Sequence, residues 1–508
     1  MANNKQLANN MLFQVAGFVV NAGITFLLTP FVIRALGVEA YGFIGLTNNI
    51  IGYLQIATVA LNSMAGRFVA VEYHRGNFDK ANKYFSSVFY SNCIFGALIL
   101  LVSSIILFYL DLIIEVPQHL AFDVKLLFLL MAVNGVSTII FNMYSVSTFI
   151  KNRLDIGAAR QFVSNALRGL SLYLLFTMLS PHLWYMGCAA LLCSIYLILA
   201  NQILCRKLTP ELNVQRNLFE WECVKELTRS GSWNLLTRLG SILQRGLDLL
   251  FANWWIGTVA MGILSVTSTI PFVILGVFSM LSSAFAPSMT EDFAKGNLDA
   301  INRELGKSIR ILSICMLIPL SLLYVYGDVF YSLWTPSEDA LLLWKLTVCG
   351  TFALLFTSPL ESFWNIFTIT NKIKGSSLFV LFNCICVFLT VVLLLQITDD
   401  TTTKMFIIAS TRSIWGLLRG LLFLPIYGAY CLGQRWNTFY PALIRPIVGL
   451  VVTISIGFGI RFLYIPTSWT ELALMSLVVC GIALICGGIL ILGKSEIKYI
   501  TQKISHKR

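Results

Sequence analysis

The sequence predicts an all-α integral membrane protein of about fourteen transmembrane helices, built as two six-helix parallel-repeat lobes plus two C-terminal helices. Three observations predict it: a composition suited to lipid, apolar runs of bilayer length throughout the chain, and an internal repeat at an offset of 220 residues. Of the 508 residues, 57% are hydrophobic and only 12% charged, with a mean hydropathy of +0.79. A soluble domain is about half apolar and a quarter charged. No polar domain interrupts the apolar runs.

A bilayer-spanning helix needs about 20 mostly apolar residues. Such segments fall at 11–34, 41–66, 85–110, 125–150, 156–179, 183–204, 231–256, 262–287, 307–327, 341–370, 376–397, 403–430, 443–464 and 471–493. Helix-weakening residues at Gly135, Pro271, Pro319 and Pro359 interrupt four of them, so boundaries are expected to shift there. A β-barrel would show alternation over about 10 residues, which is absent. No cleavable signal peptide stands out: Met1–Asn10 is polar and leads straight into a long span.

Basic residues set the orientation. The N-terminus, the even-numbered connections and the C-terminal tail hold 26 of the 36 Lys+Arg, whereas the opposite side has only Arg34, Lys125, Lys345, Lys404 and Arg461. Positive charge stays inside, so both termini are expected to be cytoplasmic. The net charge of +12 is then a topology signal with affinity for anionic headgroups of the phospholipid bilayer, and no nucleic-acid partner is implied. Five basic residues are left within spans: Arg168, Arg238, Arg245, Arg412 and Arg419.

The repeat carries Gly37-Val-Glu-Ala-Tyr-Gly42 onto Gly257-Thr-Val-Ala-Met-Gly262, and Arg75-Gly-Asn-Phe-Asp79 onto Lys295-Gly-Asn-Leu-Asp299, in one ungapped register. Six spans separate the copies, an even number, so both halves insert in the same direction. Parallel repeats place the substrate path between two lobes. The domains expected are a six-helix lobe at 1–204, a cytoplasmic linker at 205–230, a second six-helix lobe at 231–431, and two further helices with a basic tail at 432–508. Within the linker, Phe219–Leu227 is amphipathic and reads as a helix lying on the cytoplasmic surface.

The opening pattern of Asn21, Pro30, Arg34, Leu36-Gly37 and Tyr41-Gly42, with the Arg75-Gly-Asn-Phe-Asp79 loop and the two six-span halves, resembles the polysaccharide flippases (Wzx-type) of the multidrug/oligosaccharidyl-lipid/polysaccharide exporter superfamily. The resemblance covers the whole chain and is strongest over residues 1–90. It implies a flippase in the bacterial inner membrane that moves polyprenyl-pyrophosphate-linked oligosaccharide from the cytoplasmic to the periplasmic leaflet by alternating access. Such units feed lipopolysaccharide O-antigen, capsule or exopolysaccharide assembly, with contact to the polysaccharide polymerase machinery.

The residues agree with that chemistry. A pyrophosphate crossing hydrocarbon needs fixed cations, and the planar donor fork of arginine suits it. A charge at the bilayer centre costs about 2.5–3.5 kcal/mol on insertion scales, so arginines there point to an interior role. Arg238, Ser241, Arg245 and Asp248 follow 3-4-3 spacing and share one face of span 7. Arg412, Trp415 and Arg419 share a face of span 12; Arg168 lies in span 5, and Arg34 ends span 1. These six arginines are the candidate pyrophosphate ligands. Arg245 and Asp248 also have the spacing of a structural ion pair, and Arg34, Arg160 and Arg419 lie near enough to span ends to reach headgroups. Asp248 and Glu361 are the buried acids through which H+ or Na+ would couple to transport. Asn21, Asn48, Asn49, Asn62, Asn134 and Asn142 suit interhelical hydrogen bonds more than sugar contacts.

No enzyme, cofactor or metal site is expected. Gly488-Ile-Leu-Ile-Leu-Gly-Lys-Ser495 matches a phosphate-loop pattern but ends a span instead of following a strand. The four histidines lack ligand spacing. A lipid II flippase and an ion-coupled multidrug exporter of the same fold are the competing transporters. The second would want a cavity of acids for cationic drugs, where this chain has more buried arginines. A membrane glycosyltransferase or polymerase would be expected to carry a large outer loop or a soluble catalytic domain, and the outer loops here are short.

Overall fold

The computed structural model describes residues 4–151 and 153–491, with side chains from Ala16 onward except at Leu154, Gln244, Arg245, Pro287 and Ala294. The described residues are helical with short connections and contain no strand. They divide into two compact units, one of the residues up to 265 with 377–385, the other of 266–376 with the residues from 386 onward.

In the first unit, α1 (Asn4–His74) is two helical arms joined at Gly37, whose φ of 86° is open only to glycine at little cost. There follow α2 (Phe78–Phe108), the short α3 (Leu110–Ile113), α4 (Ala121–Phe141), α5 (Val146–Ile150), α6 (Leu154–Met178), α7 (Tyr185–Leu208) and α8 (Trp221–Trp255). α9 (Thr258–Ser283) begins in this unit. Its interior is joined by amides. Asn62 and Asn92 exchange hydrogen bonds of 2.9 and 3.0 Å, and Asn92 also donates to the Ile139 carbonyl, so α1, α2 and α4 share one network. Ser194 of α7 donates to Asn134 of α4. For Asn62 and Asn134 the interhelical role is therefore the observed one.

The linker docks on the start of α2. Asn82 donates to the Glu211 carbonyl (2.8 Å), Lys83 pairs with Glu220 (2.6 Å), and the Tyr84 hydroxyl donates to Glu226 (2.6 Å). The amphipathic stretch 219–227 is not a separate surface helix. From Trp221 it runs without a break into span 7 as the 35-residue α8, with Cys223, Val224 and Leu227 buried. Gly231 does not end the helix; its lack of a side chain is used for packing.

The second unit holds the rest of α9, then α10 (Ala286–Ala294), α11 (Leu298–Trp334), α12 (Ala340–Thr351), α13 (Leu354–Thr357), α14 (Phe363–Ile369), α15 (Ile373–Leu395), α16 (Thr401–Leu418), α17 (Leu424–Cys431), α18 (Tyr440–Leu463) and α19 (Trp469–Leu490). Part of α15 falls in the first unit. α18 and α19 pack on α11 and on each other. Arg461 of α18 grips α11 through both oxygens of Asp328 (2.7 and 2.5 Å) and the Val325 carbonyl.

The duplication is visible in local geometry. Gly37 and Gly257 both take positive φ, as do Gly76 (75°) and Gly296 (69°). Asn77 bonds back to the Glu72 carbonyl and Asn297 to that of Asp292, each at 3.0 Å, so both loops close with the same six-to-one helix cap. Each asparagine then caps the next helix, Asn77 on the Lys80 amide and Asn297 on the Ala300 amide.

By length and apolarity, eleven described segments can cross a bilayer, three fewer than the fourteen the sequence predicts. The difference has a physical source: α1 counts once although Gly37 divides it, and α6 and α8, which carry Arg168, Arg238 and Asp248, are too polar to qualify. The chain is a multi-pass membrane protein on this count. Of the four interruptions expected, α4, α9 and α11 run through Gly135, Pro271 and Pro319, and only the segment at Pro359 breaks, into α12, α13 and α14. The phosphate-loop match begins at the end of α19; its last residues and the basic tail lie outside the described residues.

The Asp328–Arg461 pair is only 20–23% exposed. Asp328→Ala leaves a half-buried guanidinium, and chemical unfolding in micelles should show a loss of about 3 kcal/mol, the low end for breaking a buried pair from one side. Asp328→Leu/Arg461→Leu should recover most of it.

Candidate functional site

The site begins with the seam between the second arm of α1 and α8. Glycine stands where the helices come closest. A Cβ at Gly231 would collide with the Ala60 carbonyl oxygen, and one at Gly246 with the Tyr53 hydroxyl. Small residues allow such approach in lipid, where no hydrophobic force drives helices together. At the end of the seam the repeat-related glycines meet: a Cβ on Gly42 would come within 2.9 Å of the Gly262 backbone.

This approach brings one polar face of α1 against α8. Asn48, Gly52, Gln55 and Val59, at 4-3-4 spacing, with Asn49 and Thr58, line a cleft of about 260 Å³ whose other wall is Arg238 and Ile242. Arg238 is exposed into this space, and no described carboxylate pairs with it. Asn48 spends its amide on the Ile44 carbonyl (2.9 Å) and Thr58 its hydroxyl on that of Gln55 (2.8 Å). The cleft is thus a cation among neutral amides and hydroxyls, a set that accepts an oxyanion and hydroxyl-rich groups beside it. No acid is among its described lining residues.

The other sequence-predicted residues divide between places. Asp248 lies on α8 in the electrostatic reach of Tyr53 and Cys384. The side chain of Arg245, and with it the expected pair with Asp248, lies outside the described residues. Arg34 is exposed three residues before Gly37, at the end of the first arm of α1. Arg168 lies on α6 beside Cys193 of α7.

In the second unit, Arg419, Arg412 and Glu361 come together: Arg419 sits in the field of both others. It opens a π-helical turn, Arg419–Phe423, inserted between α16 and α17. Such turns recur at functional sites. Gly420 lies against Phe356 and Thr357, beside the break at Pro359 that precedes the half-buried Glu361. Trp415, expected on the arginine face, donates its indole N–H to Thr390 of α15 (3.1 Å).

Sequence reasoning missed Gln55 and Thr58. Their signal was the stripe they share with Asn48 and Gly52, which reads as ordinary packing until a partner helix is known. It also passed over Arg160 as a snorkelling residue.

Comparison with known proteins gives three findings. A model of the family described as polysaccharide biosynthesis protein matches residues 7–293, more than half of the chain. EpsK of Bacillus subtilis (strain 168), described as an uncharacterized membrane protein, is 27% identical over 463 residues, covering 91% of each chain. Among solved structures, the lipid II flippase MurJ in an inward closed conformation superposes with a TM-score of 0.66 at 13% identity, covering 94% of this chain and 98% of that one. An inward-facing multidrug resistance MATE family transporter of the MOP superfamily superposes with a TM-score of 0.63 at 13% identity, covering 84% and 97%. At those identities the structures establish a shared fold.

Gly246→Val should be destabilising by about 1–3 kcal/mol through overpacking against Tyr53. Thermal unfolding of Gly246→Val and of Gly246→Val/Tyr53→Ala checks the cause, since the second change should return part of the loss.

Proposed function

The chain belongs to the polysaccharide biosynthesis protein family, and on that premise we propose that it is a flippase for polyprenyl-pyrophosphate-linked oligosaccharide. It carries the headgroup from the cytoplasmic to the outer leaflet by alternating access while the prenyl tail stays in the bilayer. The observation that carries this reading is the Arg238 cleft: a guanidinium without an acid partner, facing Asn48, Asn49, Gln55 and Thr58. The fork of Arg238 holds a phosphate oxygen pair, and the amides meet saccharide hydroxyls, which present donors and acceptors together. Arg412 and Arg419 supply a second cationic station in the other unit, with Glu361 beside them moderating its charge. The family and fold are those of transporters and flippases.

The lipid II flippase reading shares the same demand for cations, and MurJ has the fold. Glycan identity separates the two readings, so the test must follow the lipid carrier's sugar. In a deletion strain of the source organism, labelled lipid-linked oligosaccharide should build up in the cytoplasmic leaflet. Wild type should clear it, and Arg238→Ala should fail to, with flux reduced at least about tenfold for loss of a charge-assisted contact. Build-up of lipid II instead would transfer the reading to peptidoglycan precursor. Normal lipid-linked sugars with raised sensitivity to cationic drugs would transfer it to multidrug export.

A further inference from the structure

α6 carries two arginines that the cleft does not use. Arg160 and Arg168 stand eight residues apart, about 12 Å along the axis, on one side of the helix with Ser164 between them. Arg160 Nη1 and Arg168 Nε are both buried without a hydrogen-bond partner. Among the described residues neither side chain has an ion pair, and the ionisable neighbour of Arg168 is the Cys193 thiol of α7. Arg168 lies ten residues from the end of α6 at Met178, about 15 Å by helical rise, too deep to place its charge at a headgroup directly above it.

Other polar groups nearby are satisfied within the protein. Ser164 and Cys193 bond across α6 and α7 to each other's carbonyl oxygens, Ser171 donates to the Arg168 carbonyl (3.0 Å), and Ser194 donates to Asn134. Among these described polar groups, the two guanidinium groups are the ones left incomplete. A structural arginine in lipid is normally paired, whereas one with an open donor edge marks a ligand path.

We propose that this face of α6 is a second anion-binding site of the first unit, built on α6 and α7 where the Arg238 cleft is built on α1 and α8, and that it takes a phosphate-class group. Two donor forks in line suit a group with several oxygens, either the diphosphate of a prenyl lipid or the phosphate of an anionic phospholipid. Its part in transport rests on the flippase reading; its existence does not.

The test uses the full chain in nanodiscs of phosphatidylcholine, titrated with geranylgeranyl diphosphate and separately with inorganic pyrophosphate. With the Arg412–Arg419 station of the other unit removed by Arg412→Gln/Arg419→Gln in every sample, the otherwise unchanged chain should bind two equivalents. Arg168→Gln and Arg160→Gln should each weaken one equivalent roughly ten- to a hundredfold, and Arg238→Gln should remove the other. Two undisturbed equivalents in both α6 variants overturn the proposal, and so does a single equivalent that depends on Arg238 alone, which leaves the cleft standing. One equivalent that depends on Arg168 but not Arg238 supports the α6 site and removes the cleft reading. Nanodiscs containing phosphatidylglycerol separate the sources: loss of the α6 equivalent there, with the cleft equivalent kept, supports the site with phospholipid as its occupant, and retention of both supports it with the diphosphate. Arg168→Lys keeps the charge without the fork and decides the matter if Arg168→Gln does not fold, since wild-type binding by both it and Arg160→Gln overturns the proposal.

Discussion

The approach of α8 to the second arm of α1 is the contact on which the first unit is organised. It depends on glycine at Gly231 and Gly246 on one helix and Gly45 on the other, each against backbone or side-chain atoms that a Cβ would displace. In lipid, association gains from close packing and not from expelling water, so missing side chains are what hold the helices together. Because the helices touch, the polar stripe of α1 has a wall opposite it, and that wall places Arg238 over Asn48, Gln55 and Thr58. The same contact draws the linker into the core, since α8 is one helix from Trp221 to Trp255.

A second constraint is the cost of charge away from water, and the arginines answer it in different ways. Arg461 is neutralised by Asp328 and binds α18 to α11, a structural use. Arg419 shares a field with Glu361 and Arg412, so a cation pair is offset by one acid. Arg238 faces open space without an acid, and Arg160 and Arg168 keep buried donors unmet. Position on a span does not distinguish these cases; what differs is the neighbour each side chain meets.

Much of the fold was legible in the sequence because hydrocarbon imposes helices, and apolar length reports them directly. The repeat was legible for a sharper reason: Gly76-Asn77 and Gly296-Asn297 are residue types demanded by a positive φ followed by a helix cap. Prolines were weaker guides. Pro271 and Pro319 sit inside continuous helices, where neighbouring groups in a bundle can satisfy the freed carbonyls, and only Pro359 marks a break. The π turn at Arg419 had no local signature, since Arg-Gly-Leu-Leu-Phe is ordinary helical sequence and the close contact of Gly420 is made with Phe356, 64 residues earlier. The site was half legible. The spacing of Arg238 and Asp248 on one face was readable, but the amides opposite them depend on which helix lies alongside, and no pattern within α8 names its partner.

Reconstitution tests the central claim most directly. Purified protein in liposomes carrying a fluorescent polyprenyl-pyrophosphate oligosaccharide would be followed by an impermeant glycosidase that reports the leaflet of each headgroup. The account predicts protein-dependent exposure of the inner pool, lost with Arg238→Ala. Equal exposure with and without protein, while lipid II or a cationic drug is moved, would contradict it.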